Sequence, residues 1–160
     1  MADVSPAMFR QLCGRFPTGI TVVTTVARDG QLVGMTANSF TSVSLAPPLV
    51  SVNVDHAAEM HRHLLQAERF AVNILASGQE ALSRRFASEE PDKFHGIGYR
   101  SGEAGLPLLD GALAVLVCER HASFEAGDHT IVVGRVVGGE TAEGRPLLYY
   151  RGGYNDLPPR

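Results

Sequence analysis

The last third of the chain carries three strand-like stretches in succession, ALAVLVCERHASFEA, HTIVVGRVVGGE and PLLYYRGGY, with no helical spacing between them. Their β-branched and aromatic residues suit a pleated, half-buried surface. A parallel βαβ fold would need a helix between successive strands, so this region argues against that alternative. The first half agrees. GITVVTTVA ends at Asp29-Gly30, a strong hairpin signal, and QLVGMTANSF follows as its antiparallel partner. TSVSL alternates polar and apolar residues with period two, Ala46-Pro47-Pro48 breaks it, and LVSVNVD and RFAVNIL complete the set. Six or seven antiparallel strands expose edges unless the sheet closes, so the expected fold is mainly β: an antiparallel barrel.

Two to three short helices should flank it. Ser5-Pro6 reads as N-cap and first residue of a helix through about Arg15. Met60, Leu64, Leu65 and Ala67 share one face of a helix over roughly 57–66. Ser77-Gly78-Gln79-Glu80 fits a capping box before ALSRRFA, and Ser88 to Gly105 reads as a long loop. A length of 160 residues, without repeat or linker, indicates one domain over 1–160.

Composition narrows the function. A net charge of −3 and the absence of a basic cluster argue against a nucleic-acid partner. No apolar run approaches the roughly 20 residues of a membrane-spanning helix, and the N-terminal residues lack a signal-peptide profile. Cys13 and Cys118 stand far apart, outside any CxxC spacing, as expected of reduced thiols in a cytoplasmic protein.

The familiar catalytic motifs are missing. GIGYRSG does not join a strand to a helix, so it is not a dinucleotide fingerprint, and neither GxxxxGK nor GxSxG occurs. His56, His61 and His63 are close in sequence. However, His61 and His63 face different sides of a helix and no nearby carboxylate or cysteine completes a ligand set, so no metal is expected.

Three features carry candidate chemistry. In GMTANSFTSVSLAPPL, the small polar residues Thr36, Asn38, Ser39, Thr41, Ser42 and Ser44 alternate with Met35, Phe40 and Val43. Such a ribbon can line a flat, polar-rimmed aromatic ligand; the plainer reading is a strand with a solvated face. In LSRRFA, Arg84 and Arg85 can hold a phosphate, or be a solvated pair, with Phe86 as anchor. In AGDHTIVVG, a tight turn at Asp128 projects His129, where a neighbouring carboxylate can orient an imidazole; otherwise they are an ordinary turn aspartate and surface histidine.

Taken in order, RFPTGITVVTT, GMTANSFTSVSLAPPLVSV, RFAVNIL, LSRRFA, GDHTIVVGRV and PLLYYRGGY resemble the short-chain flavin reductase family over almost the whole chain. The resemblance implies an antiparallel split β-barrel of Greek-key type, assembled as a homodimer. It implies hydride transfer from NADH or NADPH to N5 of FMN or FAD, often supplying a flavin-dependent monooxygenase. By the same resemblance Thr36, Ala37, Asn38, Ser39, Phe40, Ser42 and Val43 hold the flavin, and Arg84, Arg85 and Phe86 reach its phosphate. His129, beside Asp128 in the GDH motif, lies near the nicotinamide, and Tyr154 borders the site. Where many relatives carry a serine or threonine pair after the fourth strand, this chain has DHAAEMH. Ala57, Ala58 and Glu59 then offer backbone N–H groups at a helix start. Two alternatives share the barrel. One is a flavin- or haem-binding protein without reductase activity; the other is a pyridoxamine-phosphate-oxidase-like enzyme, which would need further basic residues. FMN against FAD, and NADH against NADPH, stay open.

Overall fold

The computed structural model describes residues 3–158, so both ends of the expected 1–160 domain lie outside the described residues. The chain opens with α1 (Pro6–Cys13), which has Ser5 as N-cap: its side chain accepts the Met8 N–H at 3.2 Å. The strands β1 (Thr18–Gly19), β2 (Thr21–Val26), β3 (Leu32–Ala37), β4 (Thr41–Leu45) and β5 (Pro48–Asp55) follow. Next come α2 (Glu59–Gln66), β6 (Arg69–Ile74) and α3 (Glu80–Ala87). The remainder is β7 (Tyr99–Ser101), β8 (Pro107–Leu109), β9 (Ala114–Ala126), β10 (His129–Thr141), β11 (Leu147–Tyr150) and β12 (Gly153–Asp156).

Seven strands form one antiparallel sheet in the order β3-β2-β6-β9-β10-β5-β4. Its non-consecutive neighbours exclude a simple meander. Val33 and Ala37 on β3 join Val50, Val52 and Val54 on β5 in a single buried cluster with Phe70, Val72 and Val132. Strands at opposite ends of the hydrogen-bonded order can share one core only if the sheet curls. The seam is fastened where the ribbon leaves β3: the Ser39 hydroxyl accepts the Asn53 N–H at 2.9 Å and donates to the Asn53 carbonyl at 3.2 Å. The expectation of a mainly β fold of antiparallel sheets therefore holds.

α3 is held against β3 by a close approach. A Cβ on Gly34 would lie 2.6 Å from the Phe86 ring, which is fully buried, so the ring occupies the space that glycine leaves. Buried Asn73 is satisfied on both sides: its amide donates to the Val22 carbonyl at 2.9 Å and its oxygen accepts the Leu109 N–H at 2.9 Å. This ties the β7–β8 hairpin, which interrupts the long expected loop, to the main sheet.

Two local expectations need correction. The capping box expected over Ser77–Glu80 forms only by half, and one residue earlier, because Ala76 at the N-cap has no side-chain acceptor. The Gln79 side chain accepts the Ala76 N–H at 2.9 Å, because a 3-10 turn over Ser77–Gln79 precedes α3. PLLYYRGGY is not one strand but the hairpin β11–β12, turned by Arg151 and Gly152 at φ +52° and +80°. Together with β1 it forms a separate three-stranded sheet.

Candidate functional site

The ribbon at the end of β3 separates two clefts. The first, about 510 Å³, runs from Gln31–Thr36 to Ala57–Met60 and is closed by Phe86–Pro91 and Lys93. The second is lined by Phe9, Met35–Ser39, Asn53, Asp55, Asp128 and His129. Met35 and Thr36 border both.

The ribbon hydroxyls are largely spent within the fold. Thr36 Oγ1 donates to the Ser83 carbonyl of α3 at 2.6 Å, and Ser39 is occupied at the β5 seam. Main-chain groups of residues 36–39 and the exposed Asn38 side-chain amide, which lines the second cleft, are thus the polar elements the ribbon can turn toward a ligand. Phe40 packs against the barrel core. Ser42 and Val43 do not join these residues: they sit on β4, the exposed far edge, outside both clefts.

His129 opens β10, opposite Asp55 of β5 and Ala126 of β9. The preceding turn needs Gly127 at φ +67°, a left-handed conformation that glycine adopts without strain. Asp128 Oδ1 lies 2.7 Å from His129 Nδ1. That hydrogen bond, reinforced by charge when the ring is protonated, holds the Asp128 carboxyl below its ordinary range. An ionised carboxylate only accepts, so Nδ1 carries the proton and Nε2 of the neutral ring is left as an acceptor. The Asp128 carbonyl also accepts the His56 N–H at 3.0 Å, which fixes the turn.

At the other cleft, α2 begins at Ala58 without a side-chain cap. Backbone N–H groups and the positive end of the helix dipole therefore face a space bordered by Ala57, Ala58 and Glu59. The Asp55 carboxylate already accepts the Ala57 N–H at 2.8 Å. Glu59 points its charge toward Arg62, 3.7 Å away.

The arginine pair is divided. Arg85 donates to the carbonyls of Lys93, Asp92 and His95 at 2.8, 3.1 and 2.9 Å, clamping the loop after α3. Arg84 pairs with Glu80 at 2.7 Å and stacks over the Tyr154 ring at 4.7 Å. Neither lines the cleft beside α2. Tyr154 likewise stands behind α3, its hydroxyl 2.9 Å from Ser83 Oγ, away from His129. The cation bordering that cleft is Lys93, a residue without a sequence motif around it. Its Nζ donates to the Phe86 carbonyl at 3.2 Å, and burial lowers its pKa against the opposing pull of Glu59 and Glu89.

A second reading of the sequence also changes. His56 and His61 do have a carboxylate partner, Glu125, with His56 Nε2 2.9 Å from Glu125 Oε2. Sheet register brings it there from β9, beyond the reach of any sequence-spacing argument.

Comparison with known proteins decides the family. A model of the flavin reductase-like domain matches residues 13–158. The chain belongs to that family. A flavin reductase of Pseudomonas putida is 42% identical over 152 residues, covering 94% of this chain and 89% of its own. The reductase subunit of a flavin-dependent monooxygenase of Mycobacterium tuberculosis is 40% identical over 161 residues, covering 99% and 86%. The solved structure of a Streptomyces globisporus NADH:FAD oxidoreductase, in complex with NAD and FAD fragments, superposes with a TM-score of 0.92. It is 41% identical, covering 99% of this chain and 98% of that one. The flavin reductase-like region includes the ribbon, α2, α3 and the Gly127–Asp128 turn, and so every residue that lines the two clefts except Phe9.

Proposed function

We propose that this protein is an NADH-dependent flavin reductase that delivers reduced FMN or FAD to a partner flavin-dependent monooxygenase. One observation carries the reading: the ribbon 36–39 and His129, far apart in sequence, line one cleft that adjoins the uncapped start of α2 through Met35 and Thr36. The residues present fit a flavin. Main-chain N–H groups of Thr36, Ala37, Asn38 and Ser39 suit the polar edge of its ring, with Met35 as an apolar wall. The start of α2 and Lys93 suit its phosphate, while Ala57 and Ala58 leave room for it. A phosphate role for the Arg84–Arg85 pair is replaced by one in support: Arg85 holds the loop that carries Lys93.

The bound flavin supplies the hydride-accepting chemistry, and the protein supplies position and electrostatics. Backbone N–H donors along the ribbon stabilise negative charge gained on reduction. His129, fixed by Asp128, aligns the nicotinamide and offers Nε2 as an acceptor; it transfers no proton.

A homodimer is part of the proposal. α1 buries none of its residues, and Met8, Phe9 and Leu12 are exposed on it, with Phe16 just beyond. A second copy would cover that face, consistent with contiguous apolar surface marking an interface. Among the described residues no helix is long and apolar enough to cross a membrane. Two unpaired cysteines support a cytoplasmic location.

The decisive test is NADH oxidation by the purified protein with FMN and then FAD, in air. Turnover that saturates with flavin is expected, and the ratio names the preferred flavin. Tight flavin binding with no oxidation of NADH or NADPH would make the protein a flavin carrier instead.

A further inference from the structure

Outside the two clefts, three side chains from three separate elements converge. His56 follows β5, His61 lies in the first turn of α2, and Glu125 lies near the end of β9. Their ligand atoms all fall within 4.8 Å of one another. The imidazole rings meet edge to face, 5.0 Å between centroids.

Each arm is braced. The backbone of His56 is held to the Asp128 carbonyl. His61 Nε2 lies 2.8 Å from the buried Thr130 hydroxyl, which donates to Glu125 Oε1 at 2.9 Å. Glu125 stands opposite Thr130 in the β9–β10 register, so the threonine orients a carboxylate whose other oxygen faces His56. One threonine therefore contacts both an imidazole and the carboxylate, the arrangement in which supporting hydrogen bonds set ligand direction.

We infer that His56, His61 and Glu125 form a binding site for a first-row divalent transition ion of the zinc type. Two imidazole nitrogens and one carboxylate oxygen match the preference of zinc, cobalt or nickel, whereas calcium and magnesium demand oxygen ligands. Zinc–ligand distances are about 2.0–2.2 Å, so the three atoms must draw in by an ångström or so. Glu125 is exposed and can follow. His56 binds through Nε2 and keeps its proton on Nδ1; His61, whose Nε2–H is held by the Thr130 hydroxyl, is left with Nδ1 as its ligand atom, and water fills the open coordination position. This inference does not depend on the reductase reading.

The test is zinc titration of the untagged protein by calorimetry, with cobalt absorption as a second readout of coordination. One zinc per chain is expected, with a cobalt spectrum of tetrahedral or five-coordinate type. Glu125→Gln and His56→Gln should each weaken zinc binding at least about 100-fold, more than is usual for loss of a supporting group. His121→Asn, on the same strand but outside the cluster, should bind as the wild type does. Circular dichroism verifies that the variants are folded. If the wild type takes up no zinc at micromolar concentration, or if both glutamine variants still bind it stoichiometrically, the inference is overturned.

Discussion

The two clefts on either side of β3 share a wall but are built by different means. Beside α2, charge and helix geometry dominate: an uncapped helix start, one partly buried lysine, and a loop clamped by Arg85. Beneath His129, a two-residue turn does the work, with Gly127 giving the chain direction and Asp128 setting the tautomer. The first arrangement is suited to gripping an anion, the second to aligning a neutral ring. Affinity and alignment are thus assigned to different residues, and substitutions should separate them.

The largest effect should come from the shared wall. In Gly34→Ala the new methyl meets the Phe86 ring at 2.6 Å, overpacking that costs about 1–3 kcal/mol. Urea unfolding should show the loss, and flavin and NADH affinity should fall together. A variant with wild-type stability would mean that α3 can yield.

His129→Ala should then raise the KM for NADH about tenfold or more, since alignment of reactants is what it removes, while flavin binding changes little. Steady-state kinetics beside a flavin titration would check this, and equal loss of both would remove the role assigned to His129. Lys93→Met should act the opposite way. Losing one charge-assisted contact to a phosphate weakens flavin binding roughly tenfold and reduces its salt dependence, with the KM for NADH unchanged at saturating flavin.

Cys118 offers the smallest effect and a control on the intact barrel. Burial pushes its thiol up to about 12, so at pH 8 it stays protonated. Iodoacetamide should leave Cys118 unmodified in the folded protein, read by peptide mass, and label it once the chain is unfolded in urea. Labelling without denaturant would indicate that the barrel opens readily.

Much of this was legible because it is local. The Asp29-Gly30 hairpin, the Ser5 cap and the Gly127-Asp128 turn each depend on a few adjacent residues, and all three appear as read. The arginine pair was not legible in the same way. Adjacent helical positions differ by about 100° in direction, and what each arginine met, Glu80 and Tyr154 for Arg84 or the loop beyond α3 for Arg85, depended on residues outside the motif. Lys93 lies in that loop with no periodicity to flag it. Glu125 reaches the histidines only through the register of three paired strands. Ser42 and Val43 continue the ribbon in sequence, yet the chain crosses to the far edge of the sheet before it reaches them.

The position of Thr36 has a thermodynamic consequence. It borders both clefts and is tied to Ser83 of α3, so a ligand that shifts it in one cleft alters the shape offered in the other. Linkage makes such an influence symmetric: the factor by which bound flavin changes the dissociation constant for nicotinamide is also the factor for the reverse. Order of loading would then be a matter of rates and cellular concentrations, and on the proposed site the cooperation between two nucleotides would rest on a ribbon four residues long.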